Sequence, residues 1–368
     1  MLPASSAHHA FQPSPLILPV LAMTLATLAG CSSAMSPPIT DPSSTNGVYV
    51  IVPNTAVSSS SASEIVQFPS NANGAVSPSS TLILPTNFAT FAFATDSSGN
   101  LYVGGNQGSF APVILVYAAG SSGSATPSRT IAPALPNGDG IYSMTIDATG
   151  QLYLTTSVSE SIQVLPASSS GSVTPTRSIQ WDPTQFTGGD SIAVDGSGFI
   201  YLLGYCHCTA AGLSNPTEVV VYSPDSSGSA APARTIVGPN AEFGSNNNSI
   251  AVDAAGDLFA IIALPNASWL NAAQVAEFAP GATGNAAPIK TIVGNYGAAG
   301  VSPTHLQIDA NDNIFVFGQY VNFDLPQSPI LSNPFMAAFP ATASGTATPS
   351  TQFSSAAIND GAYGLAFH

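Results

Sequence analysis

The sequence has very few positive charges. Only four of its 368 residues are Lys or Arg, against nineteen Asp or Glu, so the net charge at pH 7 is −15. Phosphate backbones repel a chain this acidic, which excludes nucleic acid as an expected partner. Charged residues make up 6% of the chain and hydrophobic residues 45%, so it can bury a large core and is not expected to be disordered.

Cysteine is also scarce, and the three residues are Cys31, Cys206 and Cys208. The last two leave three interpretations open: a local disulfide, two free thiols, or a soft-metal site that includes His207. Three consecutive residues rarely complete a tetrahedral site, and the chain has no second cysteine pair. A Cys206–Cys208 disulfide is therefore the favoured interpretation.

The first thirty residues have the pattern of an export signal. Their apolar stretch Leu16–Gly30 contains Pro19 and is short for a membrane-spanning helix. It ends in Leu-Ala-Gly followed by Cys31, which resembles the lipobox of bacterial lipoproteins, although no Lys or Arg precedes it. The resemblance implies a signal peptide over 1–30, a lipid on Cys31, and an exported protein anchored in the bacterial cell envelope, either periplasmic or at the cell surface. A plain signal peptide with an incidental cysteine is the alternative. The Ser- and Pro-rich segment 31–46 is predicted to be a flexible tether.

The rest of the chain repeats one pattern, whose first half is an apolar strand, Asp-x-x-Gly and an aromatic strand. Copies cover 93–103, 144–154, 192–202, 250–260 and 306–316, the last with Asp312 in place of the Gly. In such a turn, Asp accepts hydrogen bonds from the N–H groups two and three residues on, and Gly adopts a left-handed backbone. Each copy therefore predicts a β-hairpin.

The second half of the pattern is a strand, Gly-x-x-x-Pro and a final strand. The six Gly/Pro pairs are Gly74/Pro78, Gly123/Pro127, Gly171/Pro175, Gly228/Pro232, Gly284/Pro288 and Gly345/Pro349. The four basic residues each lie two positions after a repeat Pro, which favours a structural role for them.

Five complete first halves and six second halves leave one unit short, and the two ends of the chain supply the missing parts. Residues 48–50 match the second strand of the hairpin, and residues 364–367 match the first. We therefore predict an all-β fold over 47–368: a six-bladed β-propeller whose first blade is closed by the C-terminal strand.

The repeated pattern over residues 47–368 resembles that of the NHL-repeat propeller superfamily. The segment Ile192–Tyr201 carries the superfamily's apolar strand, Asp-x-x-Gly turn and aromatic strand. The resemblance implies the fold and leaves function open, because the superfamily includes binding modules, lactonases and lyases.

Alternating strand direction places both turn types on one face and the loops between second and third strands, the B–C loops, on the other. Long B–C loops are predicted at 204–218, 263–274 and 318–335, with Trp269 and Tyr320 among their residues. The same face holds the residues that enter the inner strands at the channel mouth. Candidate ligand-binding residues on this face are Tyr142, Asp190, Asn248, Trp269, Thr304, His305, Tyr320 and Tyr363. They suit hydrogen bonding and stacking on a sugar or peptide, or they merely hydrate the mouth.

Two classes of function follow. The first is a monomeric, lipid-anchored binding or scaffold module that recognises a protein, peptide or glycan on the B–C face, without a cofactor and without any membrane contact besides the anchor. The alternative is a metal-dependent lactonase, hydrolase or lyase with a divalent ion at the channel mouth. Asp190 and Asn248 suit such an ion, but no Glu stands at an equivalent position. His305 is the only well-placed candidate for the catalytic His that a lyase of this kind would need. A purely structural envelope protein is a third reading, and no catalytic residue is assigned.

Overall fold

The computed structural model describes most of the chain after residue 46. The described residues are 47–53, 63–108, 111–135, 139–156, 158–207, 209–210, 213–214, 217–241, 243, 249–263, 273–294, 301–322, 330–358 and 364–368. They belong to one structural unit, Pro42–His368. Within them no helix has both the length and the apolar character needed to cross a membrane. The signal peptide, the tether and Cys31 lie outside these residues and stay predictions.

The described residues form six sheets, each built on four antiparallel strands, which are the blades of a propeller, and one separate two-stranded sheet. From the axis outward, the strands of blades one to three are Gly364–Phe367, Gly47–Pro53, Ser63–Pro69 and Ser80–Ile83; Phe88–Thr95, Leu101–Gln107, Ala111–Tyr117 and Arg129–Pro133; and Ile141–Ile146, Leu152–Thr156, Ser161–Leu165 and Arg177–Gln180. Those of blades four to six are Phe186–Val194, Ile200–Cys206, Thr217–Tyr222 and Arg234–Ile236; Ile250–Val252, Leu258–Ala263, Ala273–Phe278 and Lys290–Gly294; and Val301–Ile308, Ile314–Asn322, Ile330–Phe339 and Thr351–Ser354.

The ring is closed, as the sequence predicts. The innermost strand of each blade contacts the innermost strands of both neighbours, in a complete circle of six. In blade one, the C-terminal strand pairs with the N-terminal strand, with Val48 opposite Phe367 and Tyr49 opposite Ala366. The two ends of the propeller are also joined by a hydrogen bond of 2.8 Å from the Gly47 N–H to the His368 carbonyl.

Each Asp-x-x-Gly turn is an Asp-stabilised hairpin turn. In blade five the carboxylate of Asp253 accepts from the N–H three residues on, of Gly256, as predicted, whereas the other four turns differ from the prediction. In blade four, one carboxylate oxygen of Asp195 accepts from the N–H groups of Ser197 and Phe199, two and four residues on, each at 2.9 Å. The N–H three residues on, of Gly198, donates instead to the Asp195 carbonyl. The fourth position has positive φ in all five turns, including Asp312 at 59°. The left-handed backbone there accounts for the Gly in four of the five copies.

The Gly-x-x-x-Pro segments join neighbouring blades, which the sequence alone did not indicate. The Gly of each segment forms a parallel bridge with the outermost strand of the preceding blade. The six pairs are Leu82 with Gly123, Ile131 with Gly171, Ile179 with Gly228, Ile236 with Gly284, Ile292 with Gly345, and Phe353 with Gly74. The last pair joins blade six to blade one, so an outer ring of bridges closes around the circumference.

The basic residues are structural. In blade four, Arg234 donates to the Tyr201 hydroxyl at 2.8 Å, and that hydroxyl donates to Asp195 at 3.2 Å. Arg129, Arg177 and Lys290 each donate to a backbone carbonyl of the following blade. All four cations are therefore used within the scaffold.

The hydrophobic core is divided into six clusters, one at each seam between neighbouring blades. The seam between blades three and four, for example, contains Ile162, Trp181, Phe186 and Tyr222. Each cluster is completed by both neighbours, so the blades bury apolar surface only as a ring.

Two of the predicted long loops, in blades four and six, are partly strand. In blade six the second strand continues to Asn322 and the third begins at Ile330, with Tyr320 paired to Ser332. Most of 318–335 is therefore an extended hairpin, since the pairing resumes after an irregularity between Gly318 and Tyr320. Blade four carries a small hairpin of Thr209–Ala210 and Leu213–Ser214.

Candidate functional site

The innermost strands surround an axial cavity of about 330 Å³. Its described lining comes from all six blades and includes Phe91, Tyr142, Asp190 and His305. Two of these are large and exposed: Phe91 exposes 51% of its surface and Tyr142 exposes 48%. The mouth of the cavity is thus an aromatic and acidic surface that solvent reaches.

β-Bulges place these side chains at the mouth. In the innermost strands of blades two, three and four, Phe91, Tyr142 and Asp190 have no partner on the second strand, because the register shifts around them. Each lies five residues before its turn Asp. An unpaired bulge residue is freed from the regular alternation of side chains, and bulges commonly re-aim a side chain next to a site. An irregularity recurs at this position in three consecutive blades, so the three side chains share one place on the rim. It leaves one residue unpaired in blades two and three, and both Gly189 and Asp190 in blade four.

Asp190 lies among tyrosines. Tyr142 and Asp190 are hydrogen-bonded, and the Asp190 charge also acts on Tyr205. Burial raises the pKa of the Asp190 carboxyl, and the hydrogen bond with Tyr142 opposes that rise. Burial, followed by the Asp190 charge, raises the pKa of both tyrosines. A carboxylate between two phenols can accept hydrogen bonds from ligand hydroxyls while the rings stack on apolar ligand faces.

The described candidates in blade six, Thr304 and His305, are engaged by neighbouring groups of the protein. Thr304 is also a bulge residue, but its hydroxyl contacts the Phe317 carbonyl at 3.4 Å and the His305 Nδ1 at 3.1 Å. His305 lines the cavity, and burial lowers the pKa of its imidazole to about 4, so it is neutral at pH 7. Of the described candidates, the structure therefore brings Tyr142, Asp190 and His305 to the cavity wall.

The remaining candidates lie largely outside the described residues: Asn248, Trp269, Tyr363 and Cys208. The backbone of Tyr320 lies in the extended hairpin of blade six. Cys206 is disulfide-bonded, and its pairing with Cys208 stays a prediction, because the other two cysteines are outside the described residues. Among the described residues, no group of three or more His, Cys, Asp or Glu side chains is placed to hold a metal ion.

Two residues were missed at the level of sequence. Phe91 lies five residues before Asp96, the same spacing that relates Tyr142 to Asp147, and this spacing could have found it. Glu218 is a carboxylate inside the apolar third strand Thr217–Tyr222, and only 5% of its surface is exposed. An acidic residue within an apolar strand, in a chain with so few charges, is the sequence feature that could have found Glu218.

No family model and no curated protein matches the chain. Among solved structures, it is similar to a protein of unknown function from Bacteroides caccae, with a TM-score of 0.50 and 9% identity over 88% of this chain and 98% of that one. A luciferin-regenerating enzyme covers 83% of this chain and 95% of its own at 12% identity and a TM-score of 0.49. A PQQ-bound aldose sugar dehydrogenase from Streptomyces coelicolor covers 70% and 79%, at 15% identity and 0.40. At these identities the first likeness supports the propeller fold alone, and the other two carry no argument.

Proposed function

We propose that this propeller is a binding module that captures a ligand at the mouth of its axial cavity, on the face that carries the B–C loops. The observation that supports the proposal is that Phe91, Tyr142 and Asp190 lie at the same position of three consecutive blades, each where the pairing of the innermost strand is interrupted. Protein, peptide and glycan ligands all fit a rigid rim of this kind. A glycan fits best, because exposed rings beside a carboxylate match the apolar faces and hydroxyls of a sugar.

The resemblance to NHL-repeat propellers supports the same proposal at the level of the scaffold. The repeat of apolar strand, Asp-x-x-Gly and aromatic strand is the feature shared with that superfamily. The divergent side of such a scaffold is the face with loops, where binding residues concentrate.

The test is binding of the full chain to an array of glycans, with an array of peptides in parallel. We expect Tyr142→Ala to weaken capture of the selected ligand at least about tenfold, since a lost stacking contact is worth about 1.4 kcal/mol or more. Tyr142→Phe keeps the ring and removes only the hydroxyl that meets Asp190. Ile289→Ala is the matched control, because Ile289 is an exposed apolar residue on the opposite face. Equal losses for Tyr142→Ala and Ile289→Ala would contradict the proposal, and selection of peptides alone would replace glycan with peptide as the ligand.

We further propose that Cys31 carries a lipid and that the segment 31–46 holds the propeller away from a bacterial envelope membrane. The Leu-Ala-Gly-Cys sequence and the Ser- and Pro-rich segment after it support this location at the membrane. Cells that express the chain and are fed an alkyne-tagged fatty acid should label it, and Cys31→Ser should abolish the label. Undiminished labelling of the Cys31→Ser chain would refute the anchor.

A further inference from the structure

A second cavity, of about 750 Å³, lies at the seam between blades three and four. Its lining includes the aromatic residues Trp181, Phe186 and Tyr222 and the carboxylate of Glu218. The Trp181 and Phe186 rings meet edge to face, with centroids 5.8 Å apart and planes at 90°. Two perpendicular rings form an apolar corner in the wall of the cavity.

Glu218 has no hydrogen-bond or ion-pair partner among the described residues. It is 95% buried by surface area, since only 5% is exposed, and it makes no hydrogen bond or ion pair with any residue that the structure describes. A buried carboxylate without a partner is costly, and such groups are usually paired or serve a binding or catalytic role. Because Glu218 lines a cavity, a ligand can reach its side chain.

No Lys or Arg among the described residues is in place to neutralise Glu218. The described lining contains no Lys or Arg, and the four basic residues of the chain are used in contacts within the scaffold. The neighbouring titratable groups of the lining are Asp182, His207 and Tyr222. Burial and the nearby charge of Glu218 together raise the pKa of the Tyr222 phenol to about 12.

We propose that this cavity binds an organic cation, an alkyl or aryl ammonium group whose charge meets Glu218 and whose apolar body packs against Trp181, Phe186 and Tyr222. Aromatic faces attract cations, and the attraction is stronger where water is excluded. A carboxylate beside the rings adds an opposite charge in a poorly solvated place. The overall charge of −15 also favours the approach of cations over anions.

The probe is phenyltrimethylammonium, which stays charged at every pH, compared with tert-butylbenzene, its neutral isostere. Trp181 reports binding by its fluorescence in a Trp269→Phe background, since the chain has only two Trp residues. Isothermal titration of the unaltered full chain checks the same affinities. At pH 8, where the Glu218 carboxyl is ionised, we expect the cation to bind at least about tenfold more tightly than the isostere, and Glu218→Gln to remove that preference.

The matched control is Glu64→Gln. Glu64 has the same place in blade one that Glu218 has in blade four, four residues before the aromatic that ends or nearly ends the third strand, but it is only half-buried. The control should keep the preference for the cation. Thermal melting must show that both variants are folded, and Glu218→Ala provides a second variant if the glutamine chain is not. Equal affinity for the cation and the isostere, no binding of the cation, or an undiminished preference in both Glu218 variants would overturn the proposal.

Discussion

Glu218 and Glu64 show at the residue scale how one position can carry different chemistry in different blades. Both lie near the start of a third strand, and burial raises the pKa of both carboxyls. Only Glu218 stands beside an aromatic cavity, where its pKa reaches about 7. The difference arises from what surrounds the strand, because Trp181, just after the last strand of blade three, packs in this seam with Phe186 of blade four.

The raised pKa of Glu218 predicts a dependence of stability on pH. The folded chain binds a proton at this carboxyl up to about pH 7, whereas the unfolded chain releases it near 4.5. The folded state therefore holds more protons between these values, and stability falls as pH rises through this window, by up to about 3 kcal/mol. Above pH 7 the whole of that cost is present.

Glu218→Gln should remove this part of the dependence. Urea unfolding at pH 5 and pH 8 measures the free energy of unfolding. That of the variant should rise relative to that of the unaltered chain between the two pH values, by up to about 3 kcal/mol. Glu64→Gln should change the difference between the two pH values much less, because Glu64 is less buried than Glu218. Parallel curves for the unaltered chain and Glu218→Gln would show that the carboxyl is not perturbed as described.

At the scale of elements, the C-terminal strand Gly364–Phe367 closes the ring. It pairs with the strand Gly47–Pro53, and its Leu365 and Ala366 are buried in the clusters on the two sides of blade one. It also contacts the innermost strands of blades two and six. Four residues therefore complete one blade and two seams.

Deletion of residues 364–368 should destabilise the chain by about 4 kcal/mol or more, because buried apolar groups and strand hydrogen bonds are lost together. The measurement is the urea midpoint, with the slope of the transition as a check on two-state unfolding. His368→Ala is the control, since it keeps the backbone that bonds to Gly47. A deletion variant as stable as His368→Ala would show that the ring does not depend on this strand.

Bulges are the other elements that matter for function. In a regular strand, side chains point alternately to the two faces of the sheet. The bulges release Phe91, Tyr142 and Asp190 from this alternation. Beside them, Thr155 replaces a lost strand bond by accepting from the Ser143 N–H and donating to the Gly189 carbonyl, each at 2.9 Å. The rim is held by the hydrogen bonds of the neighbouring blades.

At the scale of the whole molecule, two closures hold the ring: the inner circle of strands and the outer circle of bridges. Because each seam is completed by two blades, the molecule should unfold as a unit. The rim lies at the axis and the Glu218 cavity lies at one seam. The two proposed sites can therefore be altered separately.

The sequence by itself determined the repeat, the number of blades and the closure by the last strand, because turn residues and strand periodicity act over a few positions and recur along the chain. It also marked Tyr142, Asp190 and His305 as residues entering the inner strands. Only the tertiary structure decided that Gly-x-x-x-Pro segments bridge blades, that Thr304 is occupied by its neighbours, and that Glu218 faces aromatic rings. Those outcomes depend on which strands of different blades meet, and residues far apart in the chain reveal that only once the ring is assembled.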